Sequence, residues 1–351
     1  MGRKRKTLPK NFDELIEAGD ISALKEVFTQ CELDARGGYS KSTALSFFNI
    51  PSELVRWLVE QGADINAQDS YGRTALHKHA VSWSGHIELL LELGADIEAA
   101  DYQNETPLFA AAGSCKPHAV HTLAAKGANL NAENKRKQTP LAKALAMCRN
   151  IDIVNMAEVA AILLDAGAAV TLAMKDSVKR IGNEFEFHRE GFNKEYLNQT
   201  DEALYRLYEL FEVPPVEKRK IHDGTSPITV STKVWQAQHD ELWNLLIPSK
   251  GHASTVQGEV IRITGKVSYE ILDNGGINWD NQFRHMLNRL NHYFSLGTPL
   301  PPAALAEAKT LVNKLHNGHG DDEPARLCEL AVHWVLNNPN PITLEQPDYK
   351  R

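Results

Sequence analysis

The sequence predicts an all-α protein in two parts: a solenoid of about five stacked helix pairs with β-turn tips, then a compact helical bundle. Three observations carry that prediction. A glycine-led string recurs at Gly62-Ala63-Asp64-Ile65, Gly94-Ala95-Asp96-Ile97, Gly127-Ala128-Asn129-Leu130 and Gly167-Ala168-Ala169-Val170, its glycines 32, 33 and 40 residues apart. A threonine-led string runs out of phase with it, at Thr43-Ala44-Leu45, Thr74-Ala75-Leu76-His77, Thr106-Pro107-Leu108-Phe109 and Thr139-Pro140-Leu141-Ala142, spaced 31, 32 and 33. Beyond Val170 the period is lost, yet apolar residues still return every three or four positions.

Each part of the repeat has a physical reason. Turn-rich stretches, Asp69-Ser70-Tyr71-Gly72-Arg73 and Asp101-Tyr102-Gln103-Asn104-Glu105, stand just before the threonine. The threonine caps a helix whose first turn accepts Pro107 or Pro140, because an N–H there would lack a partner anyway. A second helix follows, as in residues 87–93, and Gly94 stops it in a left-handed conformation. Leu76, Ala80, Ile87, Leu90 and Leu91 are expected to face neighbouring units, since no unit buries that surface alone. Residues 11–36, with helices near 12–18 and 21–30 and no Thr-Pro-Leu string, read as a degenerate first unit that caps the stack. The unit at 133–172 carries about seven extra residues near Met147–Val154, which reads as a loop insertion.

With two interleaved series at this period, residues 9–172 resemble the ankyrin-repeat family. The resemblance implies a non-enzymatic, protein-binding stack. In such proteins the loop tips and the turn-end of the first helices form the concave partner surface. Here the tips read Tyr39-Ser40 with Ser42, Ser70-Tyr71 with Arg73, Tyr102-Gln103 with Glu105, and Lys135-Arg136 with Gln138. Tyrosine and arginine supply large contact area and bidentate hydrogen bonding. The candidate partner-binding residues are therefore Tyr39, Tyr71, Arg73, Tyr102, Glu105, Lys135, Arg136 and Gln138, together with Trp83 at an inter-helix turn. Single stacks fused to an unfamiliar helical domain also look like bacterial inhibitor or immunity proteins that neutralise a toxin enzyme, and the mildly acidic balance suits a basic target.

The remainder divides by composition. Residues 1–8, with Arg3-Lys4-Arg5-Lys6, read as a flexible basic tail. Residues 173–233 read as a connecting segment: a helix with Leu204, Leu207, Tyr208 and Phe211 on one face, then a proline- and charge-rich linker from 213. Residues 234–351 read as the helical domain. Its helices carry Trp235 to Leu246; Val256, Val260, Ile263, Val267 and Ile271 behind a Ser254/Gln257 capping box; Phe283 to Phe294; Leu305 to Leu315; and Leu327 to Val335. Strand character is confined to residues 228–230. The tryptophans at 57, 235, 243, 279 and 334 are expected in cores.

Other function classes fit less well. The net charge is −7, and with 18 basic against 21 acidic residues before 173 and 20 against 24 after it, neither half suits a phosphate backbone. No apolar run reaches a membrane span or a signal peptide. The cysteines, Cys31, Cys115, Cys148 and Cys328, lie far apart without a CxxC pair, so a reducing cytoplasm is expected, with no metal, cofactor or small-molecule ligand indicated. Among fourteen histidines none forms HExxH. The rival reading is an enzyme whose acid/base site in the helical domain joins Glu259, Asp280 and His285, with the repeats recruiting substrate.

Overall fold

Helix pairs succeed one another from the start of the chain, at the places the two series mark. The computed structural model describes residues 3–351. Two units are distinguished: one runs to Phe185 and takes in Asn193–Val216, the other holds Glu186–Phe192 and Glu217–Arg351.

In the first unit the chain runs β1 (Arg5–Thr7), α1 (Phe12–Ala18), α2 (Ile21–Gln30), β2 (Cys31–Gly37), β3 (Ser42–Thr43), a 3-10 turn at Ala44–Ser46, and α3 (Ser52–Glu60). It continues with α4 (Ala75–Ala80), α5 (Ile87–Glu92), α6 (Pro107–Gly113), α7 (Pro117–Ala125), α8 (Pro140–Met147) and α9 (Ile153–Asp165). First helices stack α4 on α6 on α8, and second helices stack α5 on α7 on α9. Five units result, the second reduced to a 3-10 turn and one helix. Gly62, Gly94, Gly127 and Gly167 take φ of 94°, 95°, 88° and 99° at the ends of the second helices, a region that penalises any Cβ. Leu76, Ala80, Ile87 and Leu90 are buried and Leu91 half-buried. Each fully buried leucine contributes about 1.5–3 kcal/mol.

Two helices follow, α10 (Leu172–His188) and α11 (Lys194–Leu210). α11 packs on α9 and buries Leu204, Leu207 and Tyr208. The connecting helix is thus the end cap of the stack. It begins at Asn193, whose side chain accepts from Glu195 N at 3.1 Å, more than two turns before Leu204, the first apolar residue that marks it in the sequence.

The all-α class holds except for one small sheet, ordered β1-β2-β3. It corrects the tail reading, of which Met1 and Gly2 lie outside the described residues. Arg5 and Thr7 pair in parallel with Cys31 and Arg36, Leu8 is buried, and Lys4 Nζ donates to the Phe28 carbonyl at 2.7 Å. Pairing uses only backbone, so the exposed side chains of Arg5 and Lys6 do not oppose it.

The second unit contains α12 (Trp235–Leu246), α13 (Val256–Ser268), α14 (Asn281–Tyr293), α15 (Pro302–Leu315) and α16 (Glu323–Asn337). α13 is central, packed by α12, α14 and α16. Val260, Ile263, Leu287, Leu290, Leu327 and Trp334 sit in its core. The cap of α13 is Thr255, whose Oγ1 accepts from Gly258 N at 3.1 Å. Gln257 instead bonds the carbonyls of Asn338 and Asn340, both at 2.8 Å. Residues 228–230 form no strand; Ile228 N donates to Pro339 O at 2.7 Å. Arg219, in the stretch read as linker, closes the carboxyl end of α12 through Asn244 O at 2.6 Å and Trp243 O at 3.3 Å.

Candidate functional site: repeat tips and the groove beneath them

One buried side chain shapes each full tip. Asp69 Oδ1 accepts from Tyr71 N and Arg73 N at 2.8 and 3.0 Å. Asp101 Oδ1 does the same for Gln103 N and Glu105 N at 2.7 and 3.0 Å, and Asn134 Oδ1 for Arg136 N and Gln138 N at 2.9 and 3.0 Å. Such a side chain replaces a backbone turn partner. The next tips then join: Ser70 N donates to Ser40 O at 2.9 Å, Tyr102 N to Tyr71 O at 3.1 Å, and Lys135 N to Gln103 O at 2.9 Å. The result is a continuous backbone row. Sequence reasoning recognised these stretches as turns but missed the shaping residues, whose 32- and 33-residue spacing was the available signal.

The row displays its aromatic side chains. Tyr39, Tyr71 and Tyr102 are 92%, 43% and 58% exposed. Hydrogen bonding to Tyr39 raises the Tyr71 phenol above its ordinary pKa. Arg73 lies over the Tyr71 ring at 5.4 Å from its centroid and 3.7 Å from Asp101 Oδ2. Tyr102 covers Gly72, at φ 82°, where a Cβ would meet the ring at 2.6 Å. Lys135 and Arg136 are exposed. Glu105 and Gln138 are turned inward instead: Glu105 pairs with Lys143 and accepts from Asn134 Nδ2 at 3.1 Å, while Gln138 Oε1 accepts from the same Nδ2 at 3.5 Å. Trp83 stands apart on its turn, 71% exposed, with Lys116 Nζ 3.7 Å above its ring.

Below the row lies a groove of about 350 Å³. Ala110, Gly113 and Ser114 floor it, with Phe48 and Met147 among its walls. Lys78 is held by Asp69 Oδ2 at 3.2 Å. Met147, at the edge of the insertion, is 59% exposed.

Histidines hold neighbouring units in register. His77 Nδ1 lies 2.9 Å from Thr74 Oγ1, and its Nε2 donates to Glu105 O at 2.9 Å. His79 Nε2 donates to Leu45 O at 2.9 Å while Nδ1 accepts from His86 N at 3.1 Å. Burial pushes His79 down to about 4, and it pulls His77 down as well.

Family models described as ankyrin repeats match residues 15–101, 42–134 and 79–173. The first half of the chain is an ankyrin-repeat stack. Ankyrin repeats are in general protein–protein interaction modules, and the family is typically non-enzymatic. Among solved structures, an ankyrin repeat domain from Acinetobacter baumannii AYE is similar, at 24% identity and a TM-score of 0.41, over 56% of this chain and 96% of that one. No curated protein matches the chain.

Outside the ankyrin stack, the three groups of the enzyme reading do not converge. Glu259 is fully buried and bound to Arg262 Nη2 and the Tyr349 hydroxyl, each at 2.6 Å. Asp280 caps α14 through Gln282 N at 2.9 Å, and His285 is exposed. Of the five tryptophans expected in cores, Trp334 is fully buried, Trp235, Trp243 and Trp279 pack half-buried against the helical core, and Trp57 is half-buried; Trp235 and Trp243 also line a cavity. The four cysteines are free and buried. Among the described residues no three His, Cys, Asp or Glu groups sit together as metal ligands, and no helix is long and apolar enough to cross a membrane.

Proposed function

We propose that the chain is a non-enzymatic protein-binding module that captures a partner protein along the ankyrin tips and the groove below them. The observation that carries this reading is the backbone row that sets Tyr39, Tyr71 and Tyr102 in successive tips, Tyr39 almost fully and the other two about half exposed, so that aromatic area is ready for burial. Lys135 and Arg136 extend the same ridge with charge, and Trp83 offers a second aromatic contact. Four free, buried thiols accord with a cytoplasmic setting.

The test is affinity capture from native lysate, with identification of the captured protein, followed by the combined variant Tyr71→Ala, Arg73→Ala, Tyr102→Ala and Arg136→Ala. Capture is expected to fall at least about tenfold, which is about 1.4 kcal/mol, with little change in melting temperature. Undiminished capture would falsify the reading.

A narrower form makes the partner a toxin enzyme that the chain inhibits. The net charge of −7 supports a basic target. A toxin-like reading frame beside the gene, and rescue of growth by co-expression, are the results this form requires.

A further inference from the structure

The second unit carries an open cavity of about 660 Å³ that the protein-binding reading does not use. Its size falls within the range of small-molecule sites, roughly 300–1,000 Å³. Rings of Trp235, Trp243, Tyr269 and Phe283 form much of its wall. The Trp243 ring is fixed: it stacks on Phe187 at 16° and on His239 at 25°, and lies so close to Gly265 that a Cβ there would come within 2.5 Å. A glycine at this point lets an aromatic wall rest directly on the α13 backbone.

One charge in the wall lacks a counter-charge. Lys266 is half-buried, and among the described residues no carboxylate lies within ion-pair distance of its Nζ. Burial, then Arg262 and Arg351, depress its pKa, while Glu259 opposes them. Glu259 is already taken by Arg262 and Tyr349. The other carboxylates at the cavity are spent or solvated. Glu270 accepts from Asn274 Nδ2 at 3.0 Å and Asn278 N at 2.6 Å, while Asp240 and Asp273 stand exposed at the rim. Arg351 lies over the Phe283 ring at 4.6 Å and is paired with Asp280 at 3.0 Å.

We propose that this cavity binds a small planar aromatic molecule carrying one negative charge, a carboxylate or sulfonate, with its ring against the aromatic walls and its anion on Lys266 Nζ. Such a ligand supplies the missing counter-charge where water is partly excluded and the attraction is stronger than in bulk. A cationic aromatic would place like charge against Lys266.

The experiment uses the full chain and two fluorescent probes, the anionic 1-anilinonaphthalene-8-sulfonate and the neutral N-phenyl-1-naphthylamine. Wild type is expected to bind the sulfonate saturably at one per chain, about tenfold or more tighter than the neutral amine. Lys266→Met should remove that preference and leave amine binding unchanged. Its melting temperature should hold or rise, because an unpaired half-buried ammonium is gone. Ala325→Phe puts a ring into the cavity and should weaken both. No saturable sulfonate binding by wild type, equal affinity for the two probes, or an undiminished preference in Lys266→Met overturns the proposal. So does full sulfonate binding by a folded Ala325→Phe, which would put the probe elsewhere on the surface.

Discussion

The two units treat buried polar groups in opposite ways. In the ankyrin stack one small set of bonds recurs from unit to unit: buried Asp69, Asp101 and Asn134 each accept from the N–H groups two and four residues on. In the helical unit the largest buried polar set, Glu259, Arg262, Gln257 and Tyr349, has no second copy, and its long-range bonds span 81 to 90 residues. Loss of one partner in the first case strands one bond among several alike. In the second it leaves a buried charge without an equivalent elsewhere. Distributed satisfaction tolerates damage; concentrated satisfaction does not.

The sharpest break of this contrast is Glu259→Ala. Burial pushes the Glu259 carboxyl up, but Arg262 and Tyr349 hold it below the usual carboxylate range, so the pair is charged near neutrality. Removing the carboxylate leaves Arg262, 1% exposed, uncompensated, and about 3–5 kcal/mol should be lost. Urea denaturation followed by tryptophan fluorescence checks this, since Trp235, Trp243, Trp279 and Trp334 all lie in the helical unit. A loss below about 1 kcal/mol would remove the contrast.

Acid probes the stack. His79 is buried and neutral, so its folded pKa lies below its unfolded value: stability is complete above pH 6.5 and drains as pH falls toward about 4. The whole difference is worth about 3 kcal/mol, and His77 adds in the same direction. Urea midpoints by circular dichroism at pH 7 and pH 4.5 should show the loss, and His79→Gln should shrink it. A wild-type midpoint flat across that window refutes the assignment.

The smallest effect tests equivalence. Asp69→Ala, Asp101→Ala and Asn134→Ala each free two backbone N–H groups at a partly wet tip and should cost about 1–2 kcal/mol apiece. Calorimetry should find the three costs alike, and those of Asp69 and Asn134, two units apart, additive. A cost at one tip several times that at another would show that the units are not interchangeable.

The same contrast explains what could be read from the residues alone. Stack contacts fall at one spacing, so Gly94, Thr74 and Leu76 announce their roles by recurring. The helix α10 escaped although Met174, Val178, Ile181 and Phe185 are spaced helically and buried, because no glycine or threonine string frames it. β1 was illegible for a different reason: three exposed residues acquire strand structure only from partners at 31 and 36. In the helical unit the stripes of α13 and α14 were legible, but the destination of Glu259 was not. Nothing near residue 259 points to Tyr349.

The bonds between tips run one way, each tip donating a backbone N–H to the carbonyl of the tip before it. A row built like this behaves as a polar one-dimensional lattice. Excising one whole period from its interior would bring a free donor to a free acceptor of the same kind, so the ridge would shorten by a step while its direction and phase survive.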